Sequence, residues 1–323
     1  MHELAFERLH HAPPRRAARA GRALGAGGRR RSDLAFRGAL VCAMGAASAM
    51  GAACSGGASE DTNREDETCV ALGSTLGAGS VAAPPTALTL APTGGGFDYQ
   101  LGCAYPVPER VSVVTRDRTS AAEPDIYSVC YVNAFQTQPG RDETGPLEAL
   151  ILRDSRGRKM VDPDWPDEYL LDISSPERRE QLTEIVAGWI AQCAADGYDA
   201  IELDNLDSYS RSDQRLTVAD AEAYAVALLG VAHDQLLSVA QKNAPERSAQ
   251  FHALGFDFVI AEECWRYDEC ERYTEEYGAL VFDVEYEASD FERACRAARS
   301  PVPILRDLAL VSPGPGYVRR TCP

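Results

Sequence analysis

From Gly96 onward the chain repeats one unit. A short run of β-branched and aromatic residues ends in a polar side chain and, in most cases, a helical stretch follows. The strand candidates are Phe97–Leu101, Val111–Thr115, Tyr127–Asn133, Tyr169–Ile173, Ala200–Leu203, Leu237–Gln241, Phe258–Ala261, Leu280–Val284 and Ile304–Leu308. Pro176–Ala195 reads as a helix behind the N-cap pair Ser174-Ser175. Thr217–Leu236 reads as another, with Asp220 and Glu222 near the positive end of its dipole, and Ala288–Arg299 as a third. Such alternation over about 210 residues predicts an α/β fold with a parallel sheet, best a (β/α)8 TIM barrel. Nine candidates exceed eight, so either one is not a barrel strand or one strand is additional. A doubly wound open sheet is the rival. The absence of a Gly-rich phosphate loop after an early strand weakens it.

The preceding residues have another texture. Residues 1–37 carry nine Arg and three acids, and the apolar run Gly38–Ala53 ends at Cys54. A basic region, about 15 apolar residues and a small-residue exit form an export signal, too short to span a bilayer as a helix. Gly51-Ala52-Ala53-Cys54 offers a lipidation site at Cys54, the one implied route to a membrane; plain cleavage near Ala53 is the alternative. The expected division is thus 1–53 export segment, 54–95 Ser/Gly/Ala/Pro-rich flexible linker, and 96–323 barrel domain. An exported protein, held at the cell envelope or extracellular, follows from it.

Removing the basic segment takes the formal charge from −17 to −23. That leaves no electrostatic reason to bind nucleic acid and would attract a cationic partner, although on charge alone an acidic surface that merely aids solubility is the favoured reading. Eight Cys follow Cys54, an even number consistent with disulfides in an exported chain, and Cys264 and Cys270 are spaced to staple one loop. With only His233 and His252 beyond the signal and no CxxC pair, no metal site is expected. A monomer is expected.

In a barrel the chemistry sits where the strands end. The polar residues there are Asp98 and Gln100, Arg116 and Asp117, Asn133, Asp172, Glu202-Asp204-Asn205, Lys242-Asn243, Glu262-Glu263, and Asp283-Glu285-Tyr286. A ring of acids and amides suits a sugar: hydroxyls need hydrogen-bond partners, an oxocarbenium-like transition state needs negative charge, and the leaving oxygen needs an acid. Strand alternation points Glu202 and Asp204 the same way. Glu262 and Glu263 face opposite sides, so one of them enters the pocket. Lys242 is one of two Lys against 30 Arg, at a position where a compact charge is wanted. The bland readings are capping acids, a surface Glu pair and a chance Lys.

Together these stretches resemble glycoside hydrolase family 114, the endo-α-1,4-polygalactosaminidase-like barrels. The resemblance runs from about Gly96 to Glu287. It is carried by Tyr99-Gln100-Leu101-Gly102, Cys130-Tyr131-Val132-Asn133, Trp165-Pro166 with Leu171-Asp172-Ile173, Glu202–Asp207, Lys242-Asn243, Glu262–Cys264 and Val284–Tyr286. It implies Asp204 as nucleophile and Glu262 as general acid/base, acting on cationic, partly deacetylated galactosaminan without metal or organic cofactor. The remaining substrate contacts would come from Asp98, Gln100, Tyr131, Asn133, Asp172, Glu202, Asn205, Asp207, Tyr209, Lys242, Asn243, Glu263, Trp265, Glu285 and Tyr286. Asn133-Ala134-Phe135-Gln136 departs from the family's Ser-x-Gly-Glu, Ala261 from an Asn, and Glu263 from a Gln. The alternatives are a non-catalytic carbohydrate-binding lipoprotein on the same barrel, and a hydrolase of another amino-sugar glycan. A polysaccharide deacetylase would need a His/Asp metal site.

Overall fold

The computed structural model describes residues 87–139, 145–297, 301 and 303–323. The export segment, Cys54, Cys69 and most of the expected linker lie outside them. Among the described residues no helix is long and apolar enough to cross a membrane.

Eight parallel strands follow one another in chain order around a curled sheet: β1 Gly96–Gln100, β2 Val111–Asp117, β3 Tyr127–Asn133, β4 Ala200–Asp204, β5 Ser238–Lys242, β6 Phe258–Glu262, β7 Val281–Glu285 and β8 Pro303–Arg306. A ninth, β9 Arg319–Thr321, runs antiparallel to β8. Among the described residues the α-helices are α1 Pro176–Ala195, α2 Val218–Asp234, α3 Ser248–Leu254, α4 Cys270–Tyr277 and α5 Ala288–Ala297. This is a TIM-barrel-type α/β fold in which no α-helix separates β1, β2 and β3.

Eight of the nine strand candidates fall on β1 to β8; the other one does not. Tyr169–Ile173 is not a barrel strand. It makes isolated antiparallel bridges to Gln136, Ile151 and Val161, within an excursion between β3 and α1. Its apolar residues Leu170, Leu171 and Ile173 are consumed by packing under that excursion, which is why they mimic a strand in the sequence. The additional strand is instead β9, which has no apolar pattern. Its position depends on Cys322, disulfide-bonded to Cys295 of α5, and on Arg319, which donates to Asp98 at 2.9 Å and to the Phe97 carbonyl at 3.3 Å. Those side-chain contacts cross from β9 to β1; no ladder joins β8 to β1 among the described residues.

Alternation divides each strand between two cores. Phe97, Tyr99, Val113, Val129, Ala200, Ala240, Phe258, Ile260, Val284 and Ile304 fill the interior. The other face packs on the helices, where α2 presents Ala221, Tyr224, Ala225, Leu228, Leu229 and Ala232 at helical spacing. Ser175 caps α1 by accepting from the Arg178 N–H, and a reciprocal Thr217/Asp220 capping box starts α2. At the N-terminal end of the strands the Tyr127 hydroxyl donates to the Thr89 carbonyl at 2.9 Å, and Ala91 is buried. The end of the expected linker therefore packs against the barrel. Cys130–Cys193 ties β3 to α1, and Cys264–Cys270 staples the loop after β6.

Candidate active site

Three successive strands end on a charged, inward-facing residue: Asp204 on β4, Lys242 on β5 and Glu262 on β6. In each case the next residue takes a left-handed backbone, Asn205 at φ 64°, Asn243 at 50° and Glu263 at 58°. Asn tolerates that conformation; Glu263 adopts it at a cost of about 1 kcal/mol. The three turns leave the charged side chains at the C-terminal mouth of the barrel.

The Lys242 ammonium organises what converges there. Its Nζ lies 3.3 Å from Glu202 Oε1, 3.5 Å from Asp204 Oδ1 and 3.1 Å from Glu262 Oε2, with the side chain 3% exposed. It also donates to the Tyr99 hydroxyl at 3.1 Å, and that hydroxyl donates to Glu202 Oε1 at 2.7 Å. Asp204 is oriented by the Tyr131 hydroxyl on Oδ2 at 2.6 Å and the Asn205 N–H on Oδ1 at 2.7 Å. Glu262 Oε1 accepts a short hydrogen bond from the Tyr286 hydroxyl. Asn243 receives the Glu262 N–H at 2.8 Å and donates to Oε2 at 3.4 Å.

The electrostatics follow from burial. Glu202 is fully enclosed and its carboxyl is pushed up to about 7 by desolvation, opposed by Lys242 and reinforced by Asp204 and Glu262. Burial by itself would lower the Lys242 ammonium, but Asp204, Glu262 and Glu202 outweigh it and hold it well above its usual value. Burial, with Asp204 or Glu262 nearby, likewise raises the Tyr131 and Tyr286 hydroxyls, which stay neutral donors.

Of the residues expected at the site, Asp204, Glu262, Glu202, Lys242, Asn243, Tyr131, Tyr286, Asn133 and Asn205 come together; Asn205 donates to Asn133 Oδ1 at 3.0 Å. Asp207 stands at the edge, paired with Arg211 at 2.9 Å. The others point elsewhere. Asp98 and Gln100 flank the inward Tyr99 and so face out, where Asp98 binds Arg319 and Gln100 accepts from Arg116 at 3.0 Å. Asp172 accepts from Ser174 ahead of α1. Tyr209 donates to Glu246 at 3.3 Å. Glu263 pairs with Arg266 at 2.5 Å rather than with Lys242. Glu285 faces outward and receives the Trp265 N–H at 2.8 Å, while the Trp265 indole is buried and donates to the Pro301 carbonyl at 3.1 Å, leaving no face for a sugar.

Two acids and a cation at adjacent strand ends, ringed by tyrosines and amides, match acid–base sugar chemistry. Residues 77–323 match the model of glycoside hydrolase family GH114. The chain belongs to that family and is a glycoside hydrolase acting on a polysaccharide.

Among solved structures, Ega3 of Aspergillus fumigatus in complex with galactosamine is similar over 74% of this chain and 100% of that chain, at 19% identity and a TM-score of 0.58. That likeness is one of fold. The glycoside hydrolase domain of PelA from Pseudomonas aeruginosa gives 16% identity over 68% and 97% of the two chains, TM-score 0.48. No curated protein matches.

Two residues of this GH114 site escape a reading of strand ends. Tyr99 lies between the two polar residues that attract attention, and because β1 is buried on both faces nothing in the sequence shows which parity looks inward. Glu168 lies on the excursion, one residue before the run that reads as a strand; it accepts from Asn133 Nδ2 at 3.1 Å.

Proposed function

We propose that this glycoside hydrolase is an exported, retaining endo-α-1,4-galactosaminidase that cleaves partly deacetylated galactosamine polysaccharide. The observation that carries the reading is the single buried ammonium of Lys242 in contact with Asp204 and Glu262 together. Two carboxylate oxygens at 3.5 and 3.1 Å from one ammonium lie no more than 6.6 Å apart, the sum of those distances, too close for a pair separated by more than about 10 Å and compatible with the ~5–5.5 Å spacing of a retaining pair.

In this mechanism Glu262 gives its proton to the glycosidic oxygen as Asp204 Oδ attacks the anomeric carbon, forming the glycosyl-enzyme and releasing the alcohol. Water then attacks the same carbon, Glu262 takes its proton, and Asp204 leaves as the carboxylate. Tyr131 and Asn205 hold the nucleophile, and Tyr286 and Asn243 hold the acid/base. Lys242 restrains the acids without itself reacting.

A galactosamine polymer is supported by the family, by the galactosamine bound to the Ega3 structure of the same fold, and by the charge of −23 beyond residue 53. Export is supported by the N-terminal segment and by three disulfides among the described residues; Cys54 would add a lipid anchor. Incubation of the mature chain with defined α-1,4-galactosaminan beside a panel of other glycans, with NMR of the first anomer formed, tests the reading. Initial release of the α-anomer supports retention; initial β-anomer, or cleavage of only other glycans, refutes it.

A further inference from the structure

Next to Asp204 the mouth holds a carboxylate that the hydrolytic route leaves unused. Glu168 is carried on the excursion between β3 and α1, where its N–H bonds the Trp165 carbonyl at 2.9 Å and its carbonyl receives the Asp162 N–H at 3.0 Å. Both backbone groups are thus fixed. Its Oε2 accepts from Asn133, whose own Oδ1 binds Asn205 and which stands opposite Asp204 in the β3–β4 register. The charged groups around it are Asp204, Asp162 and Arg211. Arg211 is already taken, by Asp162 at 2.7 Å, Asp207 at 2.9 Å and Asn205 Oδ1 at 3.0 Å. Among the described residues no ion pair engages Glu168, and no hydrogen bond reaches its Oε1.

We propose that Glu168 is a specificity-determining residue that pairs with the free ammonium of an amino sugar held beside Asp204. The inference rests on the amino-sugar reading above and adds the group that senses deacetylation. A part-buried carboxylate beside a second carboxylate lacks a cation, and a substrate ammonium supplies one. An N-acetylated unit offers only a neutral amide N–H, a weaker partner for a carboxylate. Burial, then Asp204, pushes the Glu168 carboxyl up to about 7, so near neutrality it ionises most readily when a cation arrives.

The test uses the full mature chain with α-1,4-galactosamine oligomers of equal length, one fully deacetylated and one fully N-acetylated. Wild type is expected to prefer the deacetylated oligomer in kcat/KM. Glu168→Gln, which can still accept from Asn133, should reduce that preference roughly 10- to 100-fold, mainly through KM, while leaving the N-acetylated oligomer within about threefold. For wild type, KM on the deacetylated oligomer should rise as pH falls through about 7, because the carboxylate is then lost; the variant should lack that limb. Glu168→Asp should restore part of the preference. An unchanged preference in Glu168→Gln, an equal loss on both oligomers, or a wild-type preference for the N-acetylated oligomer would overturn the role of Glu168. Wild type that cleaves neither oligomer would instead overturn the amino-sugar reading itself.

Discussion

The barrel buries two groups of acids on opposite faces of its sheet. Inside, Glu202, Asp204 and Glu262 surround the Lys242 ammonium. Outside, Asp283 and Glu285 of β7 lie under the helices, with no ion pair to either among the described residues, at 1% and 0% exposure. They accept backbone N–H groups instead, from Cys264 at 3.2 Å and Trp265 at 2.8 Å. Burial drives both upward, Asp283 well above the ordinary range with Glu285 adding to it, and Glu285 to about 7. The contrast shows what a buried cation does. With it, clustered carboxylates can be held together at a reaction centre; without it, carboxyls favour the neutral form and serve as fixed acceptors. The two groups are linked, because the loop that Asp283 and Glu285 hold begins directly after Glu262.

The sharpest test of this division is activity. Asp204→Asn and Glu262→Gln should each lower kcat by roughly 10³-fold or more with unchanged circular dichroism, whereas Glu285→Gln should stay within several-fold of wild type. A comparable loss in Glu285→Gln would erase the distinction. Lys242→Met then makes the inner group resemble the outer one. Leaving the buried Glu202 and the part-buried Asp204 and Glu262 without their cation should cost about 3–5 kcal/mol in urea unfolding near neutral pH, and less at acidic pH, where the acids protonate. Glu285→Ala removes the acceptor of the Trp265 N–H and should cost about 1–3 kcal/mol with kcat changed less than in either catalytic variant.

The smallest effect is one of pH. The Glu202 and Glu285 carboxyls both lie near 7 in the fold against 4.5 ordinarily. The folded chain therefore holds more protons than the unfolded one between those values, and stability should fall as pH rises from about 4.5 to about 7. Thermal unfolding across that window should show a shallower fall in Glu285→Gln, and an unchanged slope would argue that this carboxyl is not neutralised by burial.

Much of this was legible in the residues. The runs ending at Asp204, Lys242 and Glu262 are short, apolar and bounded, and Pro176–Ala195 carries its own cap and proline, so strand, helix and strand-end chemistry could be read locally. Where one face of a strand is wet, alternation also tells which side chains look inward. In β1 it does not, since residues 97–100 are all buried, and Asp98 and Gln100 are as polar as a site residue should be. Tyr169–Ile173 failed for a related reason: an apolar run signals burial, and burial under an excursion looks the same as burial in a sheet.

The local pattern by itself determined the alternating elements, their order, and which residues stand at the strand ends, because propensity and periodicity act within a few residues. Only the curled sheet decided that Glu262 rather than Glu263 meets Lys242, that Tyr99 rather than its neighbours enters the cavity, and that Glu168 returns to Asp204 from 36 positions earlier in the chain. Those choices depend on curvature and register around the barrel, which set distances between strands that no segment contains alone.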